Sequence, residues 1–269
     1  MRIWWCVTGP LAFLPIHAAG IYDEHGTGAG SKLSEFAISS YTPTIRALFD
    51  RVKSGPLLNN KKLGLFMISQ PDTPGLPSIP ETAEEVKVIQ RLTKDCISRV
   101  CCLEGPAATV DCTSIEMEAY SSVHFACHAS QNAAQPLKSG FSLHDGRLEL
   151  SSIIKKRLVG VDLAFLSACQ TSTGDGRLSE EAVHLAAGML AAGYRGVIAT
   201  MWSIRDRYAS EFAKDFYTNL IDGEDSFSGE HAARAIHHAA QNIRRKLALR
   251  KLDLELSLLV WVPYVHFGL

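Results

Sequence analysis

The sequence lacks a C-x-x-C pair, an imbalance of charge and a long unbroken apolar run, and each absence removes a class of protein. Without C-x-x-C spacing, neither a structural zinc site nor a thioredoxin-like redox motif is expected. The seven cysteines (Cys6, Cys96, Cys101, Cys102, Cys112, Cys127 and Cys169) are odd in number and irregular in spacing. A chain this long needs no disulfide staples, so they read as thiols of a reducing, cytoplasmic compartment. With a formal net charge of -1, the total charge draws the chain to neither nucleic acid nor an anionic membrane surface. The basic clusters at 155–157 and 244–251 lie near the ends of expected helices, where cations suit the helix dipole. Residues 3–16 are apolar and could pass for a signal peptide, but Gly9-Pro10 and Pro15 interrupt them. A buried strand, a turn and a second short element fit better there. No other stretch approaches a membrane span.

What is present is the composition of a globular protein, 46% hydrophobic and 20% charged over 269 residues, enough for one large core. Apolar runs of strand length lie at 63–69, 97–103, 121–127, 161–168 and 195–201, with a last aromatic and apolar segment at 260–267. Between them, helical spacing covers 82–96, 152–158, 207–220 and 230–250, and more weakly 114–120. Thr42-Pro43 starts a helix that runs to about residue 53, and Ser179 caps another that ends at Gly193. Phe141, Leu143, the Asp145-Gly146 turn, Leu148 and Leu150 form a hairpin signal. Strands alternating with helices predict an α/β domain whose mainly parallel sheet is covered on both faces. No internal repeat and no linker divides it, so residues 1–269 read as one domain.

In such a sheet the reactive groups gather beyond the carboxyl ends of the strands. Run 121–127 leads into His128, and run 161–168 leads into Cys169. If the two strands are neighbours, about 4.8 Å apart, their end groups can meet. A thiolate is a strong nucleophile, and an adjacent histidine can activate it and protonate a leaving amine. The backbone amides of Cys169 and of the residue after the histidine are candidates to hold an oxyanion. His124 shares a strand face with His128 but sits about 13 Å back at roughly 3.3 Å per residue, which suits a hydrogen-bonded core role. Cys127 points to the other face and is expected to be a packed core thiol.

The surrounding residues narrow this chemistry. SVHFACH (122–128) and LAFLSACQT (163–171) resemble the two catalytic blocks of the CHAT family, caspase-like peptidases related to separase and the caspases. LPIHAAG (14–20), the helix, strand, Trp202 and Asp206 of 187–206, and WVPYVHFG (261–268) resemble further blocks of that family, in the same order. The resemblance implies a caspase-like three-layer sandwich and a cysteine endopeptidase. His128 and Cys169 match the catalytic pair, and the backbone of Ala129 and Cys169 match the oxyanion positions. Asp206 matches an acidic position that in separase-like relatives lines a pocket for a basic P1 side chain; it can equally cap the helix that follows. The chemistry requires no metal and no organic cofactor. A protein or peptide substrate and a regulatory protein partner are implied, with segments 131–140 and 170–179 as candidates for rearrangement on activation.

Two departures stand out. Many relatives have Gly after the catalytic histidine, where this chain has Ala129, which disfavours a positive φ. The chain also starts close to its first strand, so a fragment, a shortened gene and a solitary domain are all compatible with it. These features favour a rival reading, a caspase-like interaction or signalling module without turnover. A third reading is another Cys–His acyl transferase or amidase on a doubly wound sheet.

Overall fold

Short apolar runs buried on both faces form the centre of the molecule. The computed structural model describes residues 1–22, 31–54, 63–130, 132, 134–167, 181–202, 206–222 and 227–269. In chain order its elements are β1 (Arg2–Trp5), β2 (Ile38–Tyr41), α1 (Ile45–Ser54), β3 (Leu65–Ser69), α2 (Glu81–Thr93), β4 (Val100–Glu104), α3 (Val110–Ala119), β5 (Ser122–Ala126), β6 (Ala129–Ser130), β7 (Gly140–Ser142), β8 (Arg147–Glu149), α4 (Leu150–Lys155), β9 (Leu163–Leu166), α5 (Glu181–Ala192), β10 (Gly196–Thr200), α6 (Asp206–Ile221), α7 (Ala232–Leu249), α8 (Leu254–Trp261) and β11 (Tyr264–Gly268). Short 3-10 turns lie between several of them.

Eight strands join in the order β1-β2-β11-β10-β9-β5-β3-β4. From β10 to β4 all neighbours are parallel, and β11 is antiparallel to β10. β2 and β1 follow β11's direction. Side chains alternate between two cores, as the pleat requires. Phe66, Ile68, Val123, Phe125, Ala164 and Leu166 enter one core, and Leu65, Met67, Leu163 and Phe165 the other. Met117 of α3, Ile153 of α4 and Met189 of α5 close the first core, whereas Ile89 of α2, Phe212 of α6, Ile243 of α7 and Trp261 of α8 close the second. The result is helix, sheet, helix, with each fully buried Phe or Leu contributing about 1.5–3 kcal/mol. A separate antiparallel meander, β6-β7-β8, packs on the first core through Phe141, whose ring stacks on Phe125 with centroids 4.0 Å apart.

Two buried ionisable groups sit away from the strand ends. Asp162, just before β9, accepts a 2.6 Å hydrogen bond from the Gly229 amide, and burial holds its carboxyl above the usual range. His266 in β11 bonds Ser40 at 3.0 Å, and burial first, then the charge of Arg2, lowers its pKa to about 3.

Most expected elements are present with shifted ends. The first strand is an edge strand rather than a buried one, with Trp4 37% exposed. α1 starts later than Thr42-Pro43 suggests, because Thr44 rather than Thr42 accepts the capping bond, from the Ala47 amide. α3 starts earlier than expected, capped by the Thr109 side chain. At the end of α5, Gly193 takes φ +127°, where a Cβ would lie 2.3 Å from the Leu158 carbonyl oxygen. β2 and α8 are not visible from hydrophobic runs alone. Ser179 lies outside the described residues. Among the described residues no helix is long and apolar enough to cross a membrane.

Candidate active site

β5 and β9 are adjacent and parallel at the middle of the sheet, paired from Ser122↔Leu163 to Phe125↔Leu166. His128 stands three residues beyond Phe125, and Cys169 three beyond Leu166, so both positions follow the last pair by the same count. Cys169 lies outside the described residues, as does the rest of segment 168–180.

His128 has no solvent exposure. Its Nε2 lies 2.7 Å from the Pro77 carbonyl oxygen. A carbonyl only accepts, so Nε2 carries a proton and donates it. Nδ1 has no hydrogen-bond partner among the described residues. In the neutral ring this leaves the Nδ1 lone pair free as a base. Pro77 belongs to the loop between β3 and α2, which is pinned at both ends: the Ile79 amide donates to Pro71 O at 2.8 Å, and Ser78 Oγ donates to Asp72 Oδ1 at 2.7 Å. The Gln70 amide, at the start of this loop, donates to Ala126 O at 2.9 Å and ties it to the end of β5. Among the described residues the imidazole is therefore oriented by backbone.

Ala129 follows in β6. The Ser142 amide donates to His128 O at 2.8 Å, so the Ala129↔Phe141 couple between them is a non-hydrogen-bonded pair of the ladder. Its N–H is directed away from β7. Ala129 is not among the residues with positive φ, so its Cβ meets no backbone strain there.

His124 is a core residue, as its place in the strand suggests. It is fully buried, stacks on Phe165 at 4.8 Å and bonds the Tyr217 hydroxyl through Nδ1 at 3.1 Å. Its Nε2 lies 3.1 Å from Glu85 Oε1 on α2, close but off hydrogen-bond alignment. Glu85 Oε2 accepts from Ser167 Oγ at 2.9 Å. Cys127 packs in the opposite core, where burial pushes its thiol pKa far up. Burial also raises Cys101, and pushes Cys102 up to about 12, so these three are held as thiols. Among the described residues no group of three or more His, Cys, Asp or Glu is placed to hold a metal ion.

Asp206 is the first residue of α6, which begins beyond the carboxyl end of β10, the strand next to β9. Its side chain lies outside the described part of the structure. Sequence reasoning missed the Pro77 carbonyl, which carries no residue signature. It also missed Glu85, although an acid one position before Val86 on the buried line of α2 is a readable signal.

The fold is the caspase-like α/β sandwich. The Arg specific cysteine proteinase gingipain R superposes with a TM-score of 0.50 at 11% identity, covering 87% of this chain and 54% of that one. Separase in the Saccharomyces cerevisiae separase–securin complex superposes with a TM-score of 0.56 at 14% identity, covering 88% of this chain and 14% of that one. This chain thus spans about half the length of the first and a small part of the second. No curated protein sequence matches. The CHAT domain matches residues 1–269, and the chain belongs to that family.

Proposed function

We propose that this chain is a cysteine endopeptidase that works through His128 and Cys169. The observation that carries the reading is the setting of His128: its Nε2–H is held by the Pro77 carbonyl, and its Nδ1 has no hydrogen-bond partner among the described residues, at the end of a strand paired in register with β9. Nδ1 takes the thiol proton of Cys169, and the thiolate attacks the scissile carbonyl. The amides of Ala129 and Cys169 stabilise the oxyanion. The imidazolium then protonates the leaving amine, and water hydrolyses the thioester to release the acid. Asp206 selects a basic P1 side chain; the arginine specificity of gingipain R, a protein of this fold, is in keeping with that choice. Substrate and regulator are both proteins, as securin is seen with separase. The described cysteines are free, which supports a cytoplasmic setting.

The test is a fluorogenic peptide library varied at P1, cleaved by wild type, Cys169→Ala and His128→Gln. Cleavage after Arg or Lys is expected, with at least a hundredfold loss in either variant. Full activity in Cys169→Ala would refute the assignment.

A further inference from the structure

A buried carboxylate beneath the two strand ends has no part in the chemistry above. Glu85 is 2% exposed, and the groups around it, His124, Tyr217 and Ser167, are also buried. Together they form one chain of contacts: Tyr217 hydroxyl to His124 Nδ1 at 3.1 Å, His124 Nε2 to Glu85 Oε1 at 3.1 Å, and Glu85 Oε2 to Ser167 Oγ at 2.9 Å. Burial, and then the charge of Glu85, keep Tyr217 a phenol.

Such a cluster is costly. Removing a carboxylate from water costs several kcal/mol even with partners, and apolar residues of equal volume often stabilise more. Its placement offers a reason for it. His124 is on β5, which leads to His128. Ser167 directly follows β9, two residues before Cys169. Glu85 is in the first turns of α2, whose preceding loop supplies the Pro77 carbonyl that orients His128. Tyr217 is on α6, the helix that starts at Asp206. The contacts centred on Glu85 thus link α2, β5, the end of β9 and, through His124, α6.

We propose that Glu85 is a positioning residue: through Ser167 on one side and the His124–Tyr217 pair on the other, it sets the spacing of the ends of β5 and β9. The inference rests on the peptidase reading for its consequence, and on geometry alone for its structural part. The Ser167–Glu85 hydrogen bond aims in a defined direction, whereas the His124 Nε2–Glu85 contact is close but off alignment, so the directional hold is on the end of β9 and the His124 side adds charge attraction and packing.

The experiment compares wild type, Ser167→Ala and Ser167→Thr in full-length protein. Thr keeps a hydroxyl for Glu85 Oε2; Ala does not. With the best library peptide, Ser167→Ala should lower kcat about tenfold with KM within twofold, and Ser167→Thr should restore kcat to within twofold of wild type. Amide hydrogen exchange is followed in parallel over residues 71–80 and 122–128. Exchange there should rise severalfold in Ser167→Ala and return to the wild-type rate in Ser167→Thr. Unchanged kcat in Ser167→Ala overturns the proposal, and so does a loss that Thr does not rescue. If wild type cleaves nothing, the peptidase reading fails by itself, and hydrogen exchange still decides: no change at 71–80 and 122–128 overturns the clamp.

Discussion

Replacing Phe141 is the sharpest test of how the small sheet is held. Phe141 is fully buried, its ring lies 4.0 Å from that of Phe125 at an interplanar angle of 11°, and it faces Ala129 across the ladder. Phe141→Ala removes the buried ring and leaves a cavity that two packed sheets cannot close, a loss of about 3–5 kcal/mol. The stacked geometry accounts for about 0.5–1.5 kcal/mol of that. Against a total stability of about 5–15 kcal/mol, the variant should remain folded but with a much lower urea midpoint. Phe141→Leu keeps most of the volume and should lose only about 1–1.5 kcal/mol. Pairing Phe141→Leu with Phe125→Leu in a double-mutant cycle should return a coupling of about 1 kcal/mol. A Phe141→Ala loss below about 1 kcal/mol would mean that the meander does not lean on β5, and the argument for the Ala129 amide would go with it.

Two further predictions concern pH. The folded pKa of His266 lies near 3, well below its ordinary value of about 6.5. Below pH 6.5 the unfolded chain therefore binds a proton that the folded chain refuses, and stability falls as pH falls. At pH 5 this amounts to about 2 kcal/mol, at roughly 1.4 kcal/mol per pH unit. Urea unfolding at pH 7 and 5 should show wild type losing that much more than His266→Gln; equal losses in the two would refute it. Asp162 has the opposite sign, because its folded pKa is raised. The folded state holds this proton more tightly, so its contribution is lost as pH rises from the ordinary carboxylate range. Asp162→Asn keeps an oxygen for the Gly229 amide, so at pH 7 it should match wild type or exceed it by about 1 kcal/mol. A loss of more than about 1 kcal/mol in thermal or urea unfolding would show that the charge itself is needed.

Strands covered on both faces were legible because burial leaves them no polar positions: 63–69, 121–127, 161–168 and 195–201 all hold the sheet strands expected of them. β2 was not, because its Ile-Ser-Ser-Tyr sequence hides a strand whose Ser40 is buried as a partner for Arg2 and His266. α8 escaped because it is short and its apolar residues do not gather on one helical face. The place of His128 beyond the end of β5 was legible from the apolar run before it, and the core roles of His124 and Cys127 from alternation along that strand. The carbonyl that orients His128 was not, since any residue at position 77 offers the same oxygen. Ala129 sits in the antiparallel ladder with β7 at a φ that its Cβ allows.

The equal count from the last β5–β9 pair to His128 and to Cys169 has a consequence for how such a chain can change. Strand side chains alternate sides with every residue, so losing or gaining one residue within β5 or β9 would turn that strand's own side chains to the opposite core. The turn between β7 and β8 carries no such parity. Length variation is therefore tolerable in that turn and ruinous within the two strands, a pattern that insertion scanning along both would map directly.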